Sequence, residues 1–421
     1  MMHDSTANHV DVVVIGGGQA GLAMSRCLTD RGVTHVVLEK ATTANTWKTE
    51  RWDSLRLLTP NWLCRLPGFA YDGDDPDGYM TAAEVAAFLE RYERSFDAPV
   101  VRGAAVDRVA VAPGGYVVST SIGTWRARAV VLATGAASTP RVPAVADAFP
   151  DHVDHVVTTR YRNPDQLSDR GVLVVGASAS GLQLADEIAR SGRQVTVAVG
   201  DHVRLPRTYR GMDIHWWMDT IGQLDERYDE VEDIRRQRRL PSLQLVGTPE
   251  RRDLDLNAVS SIGVRLVGRL VAADQRRAQF SGSLANFCAS ADLKERRLLD
   301  RIDEHVADHG LDAEFDAPTR PDPTDPGPSP LELDLGDVGT VVWATGFRPQ
   351  YPWLDASLHG VLDRKGTLVH EGGILPAPGM YVLGLTFMRR RKSSFLDGVG
   401  PDALELTEHL VGYLAATGVT V

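Results

Sequence analysis

Three glycines, Gly16, Gly18 and Gly21, stand between an apolar β-branched run, Val10 to Ile15, and a helical pattern from Leu22 to Asp30. That placement gives each a task. The first turns the chain, the second lets a diphosphate approach the backbone, and the third packs the helix on the sheet. The helix N-terminus then presents its unpaired N–H groups to the phosphates. Glu39 follows 23 residues after Gly16, at the end of the next apolar run, where a carboxylate can accept hydrogen bonds from ribose hydroxyls. Strand, turn, helix and acid together specify dinucleotide binding rather than a glycine-rich turn in an unrelated sheet.

A second copy starts at Gly176, with Ser178 in place of the middle glycine, then Ser180 and Gly181. A small hydroxyl side chain tolerates a nearby phosphate, so a second nucleotide is expected here; the alternative is a purely structural turn. The position equivalent to Glu39 is Val199, with Arg204 and Arg207 just beyond. An arginine there could hold a 2′-phosphate and favour NADPH. The competing readings are two solvated arginines, and NADH, since Asp201 would repel that phosphate.

Other constellations carry less. His152-x-x-His155, flanked by Asp151 and Asp154, has no third cluster to complete a metal site, so no metal is expected. Nucleophile-elbow, zinc-protease and P-loop motifs are absent. The run Arg389-Arg390-Arg391-Lys392 reads as a solvated face before an anion site. Cys27, Cys64 and Cys288 lie far apart, which excludes a CxxC dithiol. Forty-five Lys and Arg against 56 Asp and Glu leave a net charge of −11, so there is no basic footprint for nucleic acid. No apolar run is long enough to span a membrane and no leader is visible at the start, so a cytoplasmic protein is expected.

The elements that must position these residues repeat. A strand–turn–helix–strand unit at 10–39 returns at 171–199, and a capping box at Thr81 and Glu84 opens a helix with Val85, Phe88, Leu89, Tyr92 and Phe96 on one face. Strand-like stretches fall at 99–111, 115–121 and 124–132. Further on come a strand at 262–273, a charged helix near 291–308, a proline-rich loop at 317–330, a strand from Val338 to Ala344, another from Tyr381 to Leu385, and a helix from Pro401 to Leu414. The stretch 212–316, with its basic Arg235-Arg236-Gln237-Arg238-Arg239, is the hardest to read.

Two glycine turns with paired Ala133-Thr134-Gly135 and Ala344-Thr345-Gly346 segments resemble the flavoproteins with two dinucleotide-binding domains. Within these the chain resembles the class B flavin-containing monooxygenases and their Baeyer–Villiger and N-hydroxylating relatives. The likeness rests on Thr46-Trp47-Lys48, on Trp52 to Pro60, on Phe149 to His155 (Asp151 stands where that signature has glycine), and on Trp343 to Pro349. It implies an α/β fold of two doubly wound, Rossmann-like domains, the NAD(P)H domain inserted in the FAD domain, with bounds 1–139, 140–335 and 336–421. For FAD it implies contacts from Gly16, Gly18, Gln19, Ala20, Gly21, Glu39, Lys40, Trp47, Leu58, Thr59, Thr134, Gly135, Thr345 and Gly346. Gly176, Ser178, Ser180, Gly181, Arg204 and Arg207 would serve NADPH, or NADH. His155 falls on the nicotinamide side and Asn61 on the oxygen side.

The implied activity is hydride transfer from NAD(P)H to flavin, reaction with molecular oxygen to a C4a-(hydro)peroxyflavin, and transfer of one oxygen atom to a small nitrogen or sulfur nucleophile or a carbonyl. Two alternatives stay open: an NAD(P)H oxidase or reductase without oxygen insertion, and a redox-sensing module that binds both nucleotides. The oligomeric state is open too, a homodimer included.

Overall fold

The computed structural model describes residues 7–136 and 139–418. β1 (Asn8–Ile15), α1 (Gln19–Asp30) and β2 (His35–Glu39) form the first unit. α2 (Ala82–Ser95) follows, opened by the reciprocal Thr81–Glu84 capping box. Then come β3 (Val100–Arg102), β4 (Val106–Ala112), β5 (Gly115–Thr120) and β6 (Gly123–Leu132). The second unit holds β7 (Asp154–Val157), β8 (Gly171–Val175), α3 (Ala179–Arg190), β9 (Val195–Ala198) and β10 (Arg265–Val267). After β11 (Leu270–Ala273), β12 (Arg277–Phe280) and α4 (Leu284–Asp308) come β13 (Glu332–Asp334), β14 (Val338–Trp343), β15 (Met380–Val382) and α5 (Leu396–Ala416).

The first sheet runs β3-β2-β1-β6-β5-β4, with β15 joined to β6. β3, β2, β1, β6 and β15 are parallel, while β4 and β5 turn back antiparallel. The second sheet runs β10-β9-β8-β14-β7, all parallel. Central strands buried on both faces explain the unbroken apolar runs Val12 to Ile15 and Val172 to Val175. In the first sheet one core joins α1, α2, β15 and α5, so residues more than 350 apart in sequence share it.

Three expectations shift. Val338–Trp343 pairs with Gly171–Val175 in the second sheet, which moves the boundary expected at 335 past Trp343. Two links therefore join the sheets, and they run side by side: Arg141 N donates to Gly346 O at 2.9 Å and Arg348 N to Thr139 O at 2.8 Å. The strand expected at 262–273 divides at Gly268, where a Cβ would lie 1.8 Å from the Ser281 carbonyl oxygen. The last helix starts at Leu396, so Pro401 sits inside it rather than opening it. Among the described residues no helix is long and apolar enough to cross a membrane.

Candidate functional site

At the end of β1 the chain turns at Gly16, whose φ of +113° suits glycine, and a Cβ there would lie 2.5 Å from the Ala133 carbonyl oxygen. A Cβ on Gly21 would meet Gly16 O at 1.8 Å. These two glycines are demanded by packing. Gly18, the N-cap of α1, is different: a Cβ there would find nothing within 4 Å. It faces a cavity of about 610 Å³.

Of the expected flavin contacts, Gly16, Gly18, Gln19, Ala20 and Glu39 line this cavity, as do Lys40, Trp47, Thr134 and Gly135. Glu39 Oε2 accepts from Gly17 N at 2.7 Å and Oε1 from Ala41 N at 2.9 Å, which fixes the carboxylate at the end of β2. Gln19 Nε2 donates to Ser394 O at 2.8 Å and ties the turn to the C-terminal segment. Gln350, Pro352, Trp353 and Ser394 complete the walls; they come from loops that no motif marks. A cavity with a helix N-terminus, a bare glycine and a held acid suits a diphosphate-linked dinucleotide.

The second turn is built alike. Gly176 has φ +114° and would place a Cβ 2.3 Å from Ala344 O, and a Cβ on Gly181 would meet Gly176 O at 1.9 Å. The two Ala-Thr-Gly segments are paired for this reason: in each, the alanine carbonyl lies against the first glycine of its turn. Ser178 has φ −82° and ψ −175°, beside −89° and −170° at Gly18, so its side chain occupies the direction left open at Gly18. Gln244 covers this turn, its Nε2 donating to Ala177 O at 2.6 Å from a fully buried position. Ser180 follows in the first turn of α3.

Arg204 and Arg207 do not form a phosphate site. Arg204 is 3% exposed and pairs with Asp255 at 2.9 Å, Asp292 at 2.9 Å and Glu295 at 3.5 Å. Burial, and then the neighbouring carboxylates Asp292 and Asp255 against the pull of Arg204, hold Glu295 up at about 7. Arg207 is wholly buried, with Nη2 donating to Asp213 Oδ1 at 2.7 Å and Nη1 to Leu58 O at 2.8 Å. Tyr79 donates to the other Asp213 oxygen at 2.6 Å. Burial pushes the Asp213 carboxyl up, yet its hydrogen bond from His215 and the charge of Arg207 bring it down to about 2. Two arginines that the sequence places near a ribose are thus spent on internal ion pairs. Asp201 pairs with Arg269 at 2.8 Å.

Asn61 and His155 are not brought together. Asn61 is 4% exposed, with Nδ2 donating to Asp75 O at 2.9 Å and Oδ1 accepting from Met80 N at 2.8 Å. Its amide closes the 75–80 loop, and Asn61 is not on the wall of the first cavity. His155 lies on edge strand β7, level with Val341, on the sheet face opposite α3. Its ring packs edge-on against Phe149 and accepts from Trp343 Nε1 at 3.3 Å, and burial holds its pKa below the usual histidine value. Nucleotides sit beyond the C-terminal ends of parallel strands, whereas this ring lies within its strand, level with Val341. Leu58 and Thr59 stay off the first cavity, and Thr345 Oγ1 donates to Arg141 O in the link between the sheets. Gly346 lies in the same link.

The 389–392 run is neither a solvated face nor an anion site. Arg389 pairs with Glu405, Arg390 with Asp402, Arg391 with Glu226 and Lys392 with Asp397 and Asp225, so it clamps the 219–227 loop to α5. The three cysteines are buried, and burial pushes Cys27 to about 11, Cys64 to about 12 and Cys288 to about 11.

Residues 13–224 match the family described as pyridine nucleotide-disulphide oxidoreductase. A protein of Geobacillus kaustophilus, described as uncharacterized oxidoreductase CzcO-like, is 30% identical over 406 residues, covering 96% of this chain and 99% of that one. The indole-3-pyruvate monooxygenase YUCCA1 of Oryza sativa subsp. japonica is 31% identical over 214 residues, 48% of this chain and 50% of its own. In fold, the chain is similar to a flavin-containing monooxygenase from Stenotrophomonas maltophilia, with TM-score 0.68, 22% identity, and coverage of 96% and 99%.

Proposed function

This chain belongs to the pyridine nucleotide-disulphide oxidoreductase family, and on that premise we propose that it is an FAD- and NADPH-dependent monooxygenase. It transfers one oxygen atom from O2 to a small nitrogen or sulfur nucleophile or a carbonyl. The cavity around Gly16, Gly18 and Glu39 carries this reading, because a helix N-terminus, a bare glycine and a held carboxylate line it together. The bound flavin would supply the electron transfer and oxygen chemistry. The chain itself would hold the diphosphate at the N-terminus of α1, the ribose at Glu39, and the ring end toward Trp47 and Ser394. The Gly176–Gly181 turn would take the nicotinamide nucleotide. NADPH is preferred over NADH on the buried Val199, which offers no acid for a ribose 2′-hydroxyl.

The family also contains disulfide reductases by its name, and the thiols weigh against that chemistry here. Exchange needs a thiolate within reach of a second sulfur, and these three are separate, buried and held protonated. The names of the rice and Stenotrophomonas proteins favour oxygenation.

The test is a mass-spectrometric screen of amines, sulfides and ketones for NADPH-dependent gain of one oxygen atom, with hydrogen peroxide counted in parallel. Coupled oxygenation of at least one class is expected. Peroxide equal to NADPH consumed across the panel would make the protein an oxidase, and negligible turnover would make it a sensor.

A further inference from the structure

Two cations on the wall of the first cavity, Lys40 and Arg51, have no carboxylate partner among the described residues, and of these Lys40 is exposed while Arg51 is half-buried. Arg51 closes the segment 44–51, half-buried. Its guanidinium carbon lies 5.1 Å from the centroid of the Trp47 ring, and Nη1 donates to Glu50 O at 3.2 Å. One backbone carbonyl and one ring face leave most of its five N–H donors without a protein acceptor. The surroundings do not suit a resting charge either: desolvation pushes its pKa down, and the nearby Glu50 only partly restores it. The contrast with Arg204, Arg207 and Arg390 is plain, since each of those reaches a carboxylate at 2.9 Å or less.

Two features aim this cation at an anion inside the cavity. The N-terminus of α1, twelve residues long, opens onto the same space through Gly18. And Arg51 is held from outside: Arg162, in the second unit, donates from Nη1 to Arg51 O at 3.2 Å and from Nη2 to Thr49 O. The backbone that carries the guanidinium is thereby fixed, while the head, on the Trp47 ring as a platform, keeps most of its donors unspent.

We propose that Arg51 is the counter-cation for the diphosphate of the dinucleotide held in this cavity. This rests on the flavin reading above and adds to it the residue that neutralises the ligand. A guanidinium can give a phosphate two parallel N–H···O bonds, which lysine cannot.

The test uses purified holoprotein, R51Q and R51K, with FAD affinity read from the fluorescence of flavin released on serial dilution, at low and high NaCl. R51Q is expected to weaken FAD roughly 10- to 100-fold at low salt, the range of a charge-assisted pair. R51K should lose less. Wild-type affinity should fall as salt rises, and that of R51Q should fall much less. ADP, which carries the diphosphate without a flavin, should compete for the cavity less well in R51Q by a similar factor. Unchanged FAD affinity and salt dependence in R51Q overturn the proposal, as does unchanged ADP competition, which would put the cation at the flavin ring. If R51Q fails to fold, R51K is compared with wild type for FAD affinity, its salt dependence and ADP competition, and no change in any of the three overturns the proposal. A wild-type chain that binds no FAD would instead overturn the functional reading, and this inference with it.

Discussion

The two glycine turns of this molecule share one backbone and differ in everything that touches a ligand. Gly16 and Gly176 have φ of +113° and +114°, each against an alanine carbonyl, and Gly21 and Gly181 each close on the first glycine. Around the first turn stand Glu39, a bare Gly18 and an open cavity; around the second, Val199, Ser178 and the Gln244 amide. The outer glycines therefore report on packing and the middle residue on the ligand. A glycine pattern tells where a nucleotide could lie, and the side chains around it tell which one.

That comparison breaks most visibly if the outer glycines are unequal. Gly21→Ala and Gly181→Ala should each cost about 4–5 kcal/mol, beyond the usual range for overpacking, because the clashing atom is backbone. Soluble yield and apparent melting temperature should fall alike for both. A large loss at one turn only would mean the twins are not mechanically equivalent.

Arg204→Met tests whether the second turn owes its nucleotide preference to arginine. Removing the cation strands Asp255, Asp292 and Glu295, at a cost of about 3–4 kcal/mol in thermal or urea unfolding. The NADPH to NADH ratio of kcat/KM should stay within twofold. A collapse of that ratio with stability intact would restore the phosphate role.

The middle residues should separate ligand from fold. Gly18→Val should leave the melting temperature of the flavin-free protein unchanged, since a Cβ meets nothing there, yet lower flavin per chain by a factor equivalent to about 2–3 kcal/mol. Ser178→Val should leave flavin content alone and raise the NADPH KM. Equal effects of both on flavin would erase the assignment of one nucleotide to each turn.

The smallest effect is electrostatic. Glu295 sits at about 7 in the folded protein against an ordinary 4.5. Its folded pKa is raised, so its contribution is fully present below about pH 4.5 and is lost as pH rises through 7. Glu295→Gln should remove that decline, making the variant more stable than wild type by about 2 kcal/mol at pH 8 and no more stable at pH 4.5. Urea midpoints at the two pH values measure it.

Much of the fold was legible because buried parallel strands write unbroken apolar runs and tight turns write glycines. Val10 to Glu39 and Gly171 to Val199 were placed within a few residues, and so was the Thr81 capping box. The final strand of the second sheet was assigned to the wrong unit, since Val338 to Trp343 has the same local signature whichever sheet accepts it. At Gly16, Gly18 and Glu39 the expected residues line one cavity, where local chemistry decides. The surroundings of Arg204, Arg207, Asn61 and His155 were not legible, since their partners Asp292, Asp213, Asp75 and Trp343 are set by long-range packing. Arg51 was missed because an arginine's meaning lies in the absence of a partner, which spacing does not reveal.

The order in which the chain is made gives the shared first core a consequence for biosynthesis. β1, α1 and β2 leave the ribosome before the second unit, whereas β15 and α5, which share their core, come after it. Because the two links run side by side, the second unit can close on itself while the first waits with α1 uncovered. Trp353 and Ser394, which complete the walls of the first cavity, are also among the late arrivals. A ligand can be enclosed there only after the segment through α5 has been made, so a chain truncated before Trp353 stays open, with the apolar face of α1 uncovered.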